Sequence, residues 1–228
     1  MKLIILLVSL AASAVEAVIQ QQQPLDSGTD FDLIRKLKIA EVIPTVMDEF
    51  KPMLTVNITW PKATALVGNT VKVKKVQHTP HVQLFGTLPN FYLTTQDDNE
   101  IPQLTLALTD PDARSRDNPD WSQMCHWIIT NVPLATASDE AANEGWKEVE
   151  QIVEYQPPSP PKKSGKHRYV FAALVPKNGT SATLSLSKPQ KRQHWGYGTV
   201  RAGLREWAEE NGLEVVGANF IYAQDEKQ

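Results

Sequence analysis

Two carboxylates flanking one proline, Asp110-Pro111-Asp112, and two histidines further along, His126 and His167, are the residues whose types could do chemistry. A carboxylate taken out of water alone is costly, so Asp110 and Asp112 require donors. Imidazole rings and the nearby Arg side chains can supply them. A carboxylate that holds an imidazole can raise its pKa and leave it a donor, which is the chemistry of a pocket for phosphate or carboxylate. The same residues admit plainer roles. Asp-Pro-Asp in isolation is most often a turn, a lone His is more often structural, and Arg116-Asp117 reads as a solvated surface pair. Composition leaves these readings open.

Other chemistries find less support. There is no G-x-S-x-G elbow and no H-E-x-x-H helix. The single cysteine, Cys125, cannot form an intramolecular disulfide and reads as a small buried hydrophobe. A reactive thiol would need a base, and the adjacent His126 points to the other face of a strand. Nothing in the spacing of His126, His167 and the two Asp residues argues for a metal, and no cofactor is expected. With a formal charge of −3 over 228 residues, the chain has no bulk field calling for nucleic acid.

The elements that must position these residues are mostly strands. Leu104, Leu106 and Leu108 alternate directly before Thr109-Asp110, and His126–Thr130 and Tyr169–Val175 are nearly continuous apolar runs, as in strands covered on both sides. Met53–Trp60 alternates cleanly, with Asn57 on the wet face. Val71–Lys74, Val82–Phe85, Ser181–Leu186 and Glu214–Tyr222 are further strand candidates. Helices are expected over Asp30–Ala40, from Pro44 to about Phe50, and after Thr199, with Val200, Leu204, Trp207 and Ala208 on one face and Asn211-Gly212 as the stop. Pro157–Lys163 cannot join a central sheet and reads as an ordered loop.

The start of the chain reads differently. Lys2, the apolar run Leu3–Leu10 and small residues around Ala12-Ser13-Ala14 and Val15-Glu16-Ala17 predict a cleaved signal peptide over residues 1–17. The run is too short to span a bilayer comfortably, so no transmembrane segment is expected. Residues 18–29 then form a loose lead, and residues 30–228 a single domain. Two acceptor sequons, at Asn57 and Asn178, agree with a secreted glycoprotein.

Two longer motifs go beyond composition. Asp110-Pro-Asp-Ala-Arg-Ser-Arg116 followed by Cys125-His126-Trp127, and Tyr155-Gln-Pro-Pro-Ser-Pro-Pro161 followed by Gly165-Lys-His-Arg-Tyr-Val-Phe171, resemble the two signatures of the phosphatidylethanolamine-binding protein family. The likeness runs from about Phe31 to Ala223. It implies a mainly β fold, with a large antiparallel sheet packed on a smaller sheet and flanking helices. It also implies a small anion pocket built from Asp110, Asp112, Ala113, His126, Pro160, Pro161, His167 and Tyr169, with Phe220 as a further wall. Arg168 is assigned to structure, because it alternates away from His167. At the rim, Arg114 stands where the family usually has Pro, and Ser159 where Gly commonly precedes the Pro-Pro pair.

The resemblance implies a non-catalytic binding protein for phosphate, phosphoryl head groups or similar anions. Two alternatives stay open. One is an accessory protein of a fungal natural-product pathway, holding a dicarboxylate or anhydride to assist the dimerisation of anhydride monomers, with a biosynthetic enzyme as partner. The other is inhibition of a serine carboxypeptidase, as in the carboxypeptidase Y inhibitor group. That group's inhibitory segment lies in an N-terminal arm, and Val18–Thr29 offers no convincing match.

Overall fold

The alternation that marks Leu54–Trp60 produces a strand, β1, buried at every second residue from Leu54 to Trp60. A computed structural model describes it together with the rest of residues 27–89, 104–135, 146–177 and 185–227. The leader at 1–17, most of the lead, the Asn178 sequon and most of the Ser181–Leu186 strand lie outside the described residues.

β1 pairs antiparallel with β4 (His81–Gly86) and with the short β2 (Ala63–Thr64), giving a three-stranded sheet. The larger sheet has six strands: β3 (Asn69–Thr70), β5 (Leu104–Asp110), β6 (Met124–Val132), β7 (Glu150–Val153), β8 (His167–Pro176) and β9 (Leu213–Ala223). Their order is β3-β9-β8-β5-β6-β7, antiparallel throughout except for β3 beside β9. The mainly β architecture of two packed sheets with flanking helices is therefore the one expected.

Period-two packing explains why the central strands read as unbroken apolar runs. On β8, Tyr169, Phe171, Ala173 and Val175 join β1 and β4 in the core between the sheets. Val170, Ala172 and Leu174 enter a second core, beneath α1 (Ser27–Ile39) and α3 (Leu204–Glu210). β5 is likewise buried at all seven residues, because Thr105, Ala107 and Thr109 fill the face that the leucines leave. The sheets come close enough at β9 that a Cβ on Gly217 would lie 2.4 Å from the Leu54 carbonyl oxygen.

Several expected elements differ. α1 starts at Ser27, inside the segment read as a loose lead. Pro44 opens no turn reaching Phe50: helix α2 covers only Val42–Thr45 and is broken at Ile43 (φ −96°, ψ 123°). Val71–Lys74 is not a strand. After β3 the chain turns through a 3₁₀ segment at Val73–Lys75, which buries Val76 instead of extending the alternation. Thr199 caps nothing. α3 begins at Leu204, with the Glu206 carboxylate accepting the Gly203 N–H at 2.7 Å, and Val200 is exposed. The proline-rich segment is an ordered loop, with Pro158 and Pro160 buried.

Candidate anion site

Asp110 ends β5, His167 begins β8 beside it, and His126 lies near the start of β6 on the other side of β5. Antiparallel pairing thus delivers the two motifs to one end of the large sheet. Asp110 is divided between partners. Its Oδ1 accepts the Asp112 backbone N–H at 2.7 Å, which closes the Asp-Pro-Asp turn, and its Oδ2 lies 2.8 Å from His167 Nδ1. The Tyr169 ring stacks on His167, close enough to this pair for the Asp110 charge to act on its phenol. Burial raises the Tyr169 phenol well above its ordinary range, and the nearby Asp110 charge adds to the effect, so Tyr169 stays a neutral donor.

The rings are ordered around that tyrosine. His126 meets Tyr169 edge-on at 5.3 Å between centroids, and His167 stacks on it at 6.3 Å. His126 Nδ1 lies 2.7 Å from the Gln156 carbonyl oxygen and donates to it, so Nε2 is the ring's remaining polar atom. Burial pushes the His126 pKa below the ordinary 6.5. Asp110 and the Gln156 carbonyl oppose this, while the charges of Arg192 and His167 add to it. The expectation that a neighbouring carboxylate lifts a histidine therefore fails at His126, where desolvation outweighs the Asp110 charge. Asp110 orients His167 instead.

The other residues that the resemblance assigns to the pocket have different partners. Asp112 is turned away: its carboxylate accepts from Arg168 N–H and Nε at 2.8 Å each, and Arg168 Nη1 donates onward to the carbonyls of Ala40 and Glu41. Arg168 is structural, as its parity predicts, tying the Asp-Pro-Asp turn to the α1–α2 corner. Phe220 pairs with Val170 on the helix side of the sheet, so it lies on the opposite face of the large sheet from Tyr169 and packs under Gly68. Ala113 and Pro160 are buried near the site, whereas Ser159 and Pro161 are exposed at its edge.

Arg114 is paired at the surface. Its Nε donates to Asp120 Oδ1 at 3.0 Å and its guanidinium lies 5.1 Å over the Trp121 ring, so Asp120 offsets the cation and holds it outward. Arg116 reaches Glu41 at 2.9 Å rather than Asp117. Cys125 is fully buried, and burial lifts its thiol to about 12, as suits a packing residue. Among the described residues no group of three or more His, Cys, Asp or Glu side chains is placed to hold a metal ion, and no helix is long and apolar enough to cross a membrane.

Two participants were not found from sequence. Ser164 Oγ lies 2.9 Å from His167 Nε2 and donates to the Pro161 carbonyl at 2.7 Å, occupying the outward nitrogen of the ring. Arg192 spans the carbonyls of Cys125 and His126 at 3.2 and 3.1 Å and that of Glu154 at 2.9 Å, which fixes the segment carrying His126. Ser164 stands three residues before His167, a spacing with no motif value. Arg192 sits in a loop far along the chain.

Comparison with known proteins gives concordant results. The family model described as "Phosphatidylethanolamine-binding protein" matches residues 67–221. The carboxypeptidase Y inhibitor of Saccharomyces cerevisiae is 35% identical over 175 residues, covering 71% of this chain and 80% of that protein. FLOWERING LOCUS T of Arabidopsis thaliana is 32% identical over 136 residues, covering 59% of this chain and 65% of its own length. Among solved structures, carboxypeptidase Y inhibitor in complex with its cognate proteinase superposes with a TM-score of 0.69 at 30% identity. It covers 86% of this chain and 98% of the inhibitor. A phosphatidylethanolamine-binding protein from Plasmodium vivax, at 19% identity, shares the fold with a TM-score of 0.62 over 85% of this chain and 97% of its own.

Proposed function

The chain belongs to the phosphatidylethanolamine-binding protein family, and we propose that it is a secreted protein binding small phosphate-bearing anions at the His126–His167 end of the large sheet. The observation that carries this reading is the Asp110–His167 pair, 2.8 Å apart and almost fully buried, with His126 and Tyr169 against it. Four polar side chains gathered at a sheet end are costly as mere packing and useful as donors to an anion. An entering phosphate would take a proton-bearing His126 Nε2 on one side. On the other it would share or displace the Ser164 hydroxyl at His167 Nε2.

Calorimetric titration with inorganic phosphate tests this on the parent, His126→Ala, His167→Ala and Asp110→Asn. Losing one charge-assisted hydrogen bond should cost roughly 1.5–3 kcal/mol of binding, or about one to two powers of ten in affinity. Parent-like binding by both His variants would sink the assignment. Mass spectrometry of ligand retained by the purified protein would identify the anion, and N-terminal sequencing near Val18 would check export.

A second reading is favoured by the carboxypeptidase Y inhibitor, whose likeness covers most of both chains. On that reading this protein inhibits a carboxypeptidase through its surface. Titrating the protein into a yeast carboxypeptidase Y assay decides it, and full peptidase activity at micromolar protein would reject it.

A further inference from the structure

Loop residues 188–192 close a cavity of about 310 Å³ against β6 and the end of β7. Cys125 and Val153 line it from the sheet, and Lys188, Lys191, Arg192 and Glu154 stand around it. Its charge is unbalanced: three cations face one carboxylate. Arg192 is held by carbonyl oxygens of Cys125, His126 and Glu154, which fix the guanidinium without neutralising it. Lys188 and Lys191 are exposed, and neither enters an ion pair among the described residues. The Cys125 thiol, lifted to about 12 by burial, adds no negative charge at neutral pH.

A larger cavity of about 550 Å³ lies at the opposite end of β8 and β9, and there carboxylates balance or exceed the cations. Lys177 pairs with Glu209, and Arg205 with Asp48, and the lining carboxylates Asp48, Glu49, Glu209 and Glu214 outnumber the cations Lys51, Lys177 and Arg205, so no excess of cations is left to select an anion. The smaller cavity has that field, a fixed guanidinium and an apolar wall.

We propose that the cavity formed by Lys188, Lys191, Arg192, Cys125 and Val153 is a second anion site, separate from the histidines, that takes a phosphate group. It is distinct because Cys125 belongs to the helix-side core, whereas His126 packs on Tyr169 of the core between the sheets. Arg192 supplies the fixed donor, Lys188 and Lys191 close over the remaining oxygens, and the volume admits a small substituent on the phosphate.

The test is a ¹H–¹⁵N NMR titration of the mature chain at constant ionic strength, with inorganic phosphate and with glycerol phosphate. The parent is compared with Lys188→Gln/Lys191→Gln, two exposed positions whose change leaves the fold intact. The amides of Gln190–Arg192 in the parent should shift saturably, and the double variant should bind there at least tenfold more weakly. The response of the His126 and His167 ring signals should stay as in the parent, which keeps the two sites apart in the readout. Tighter binding of the ester would assign the extra volume to its substituent, and equal binding would assign the site to phosphate alone. Non-saturating loop shifts, or equal affinity in the double variant, would overturn the proposal whatever the rings do.

Discussion

At His126 two opposing effects meet on one ring. Desolvation favours the neutral imidazole and outweighs the Asp110 carboxylate, so the free protein holds a neutral His126 whose Nδ1–H serves Gln156. Nε2 then offers a lone pair, which repels an anion until the ring takes a proton. Phosphate affinity should therefore climb as pH falls from about 7.5 to 5.5, around the ordinary histidine value. His126→Asn, whose amide can keep the Gln156 contact, should remove part of that slope in calorimetry; an unchanged slope would move the proton elsewhere. Arg114 gives the converse case. Its charge is offset by Asp120 and lies over Trp121, so Arg114→Ala should shift phosphate affinity by less than about threefold, within the reach of a solvent-screened charge. Residue type singled out Asp110, His126 and His167 as candidates, and the family likeness of the two long motifs added Tyr169 to them. Neither disclosed Ser164 or Arg192, whose roles come from loops folding back on the strand ends.

Among the elements, β9 carries a residue that the apolar pattern cannot flag. Asn219 is buried in a strand that otherwise reads as core, and it stitches the two sheets together. Its Nδ2 donates to the carbonyls of Val56 at 2.7 Å and Ala65 at 3.2 Å, and its Oδ1 accepts from Val67 N–H at 2.9 Å. Asn219→Ala would strand those backbone groups away from water and open a void, at a cost of about 2–4 kcal/mol. A urea midpoint lowered with an unchanged slope would show it, and a midpoint within error of the parent would mean that water replaces the amide. The regular strands were legible because period-two burial is written into β1 and double burial into β8. Val71–Lys74 misled because its alternation served a 3₁₀ turn that buries Val76. Val200 misled because α3 starts four residues later, where Glu206 can reach the Gly203 N–H.

In the whole molecule, the large sheet lies between two cores and its end carries the histidines, so protons at the site are linked to the stability of both layers. His126 sets the sign. Its pKa in the folded chain lies below 6.5, whereas the unfolded chain exposes an ordinary imidazole. Above that value neither state carries the proton, and the linkage is silent. As pH falls through about 6.5 the unfolded state binds a proton that the folded state refuses, so stability declines until the folded pKa is reached. Phosphate should act in the opposite sense over the same interval, because an anion at Nε2 stabilises the protonated ring inside the fold. Thermal unfolding in a non-coordinating buffer should therefore show a Tm that falls between about pH 7 and 5, and phosphate at equal ionic strength should recover part of the loss. His126→Asn should lower both the decline and the recovery. A parent Tm that holds level on acidification, with phosphate protecting equally at both pH values, would mean that His126 accepts its proton as readily inside the fold as outside. The anion would then be held by fixed donors such as Tyr169 rather than by a titrating ring.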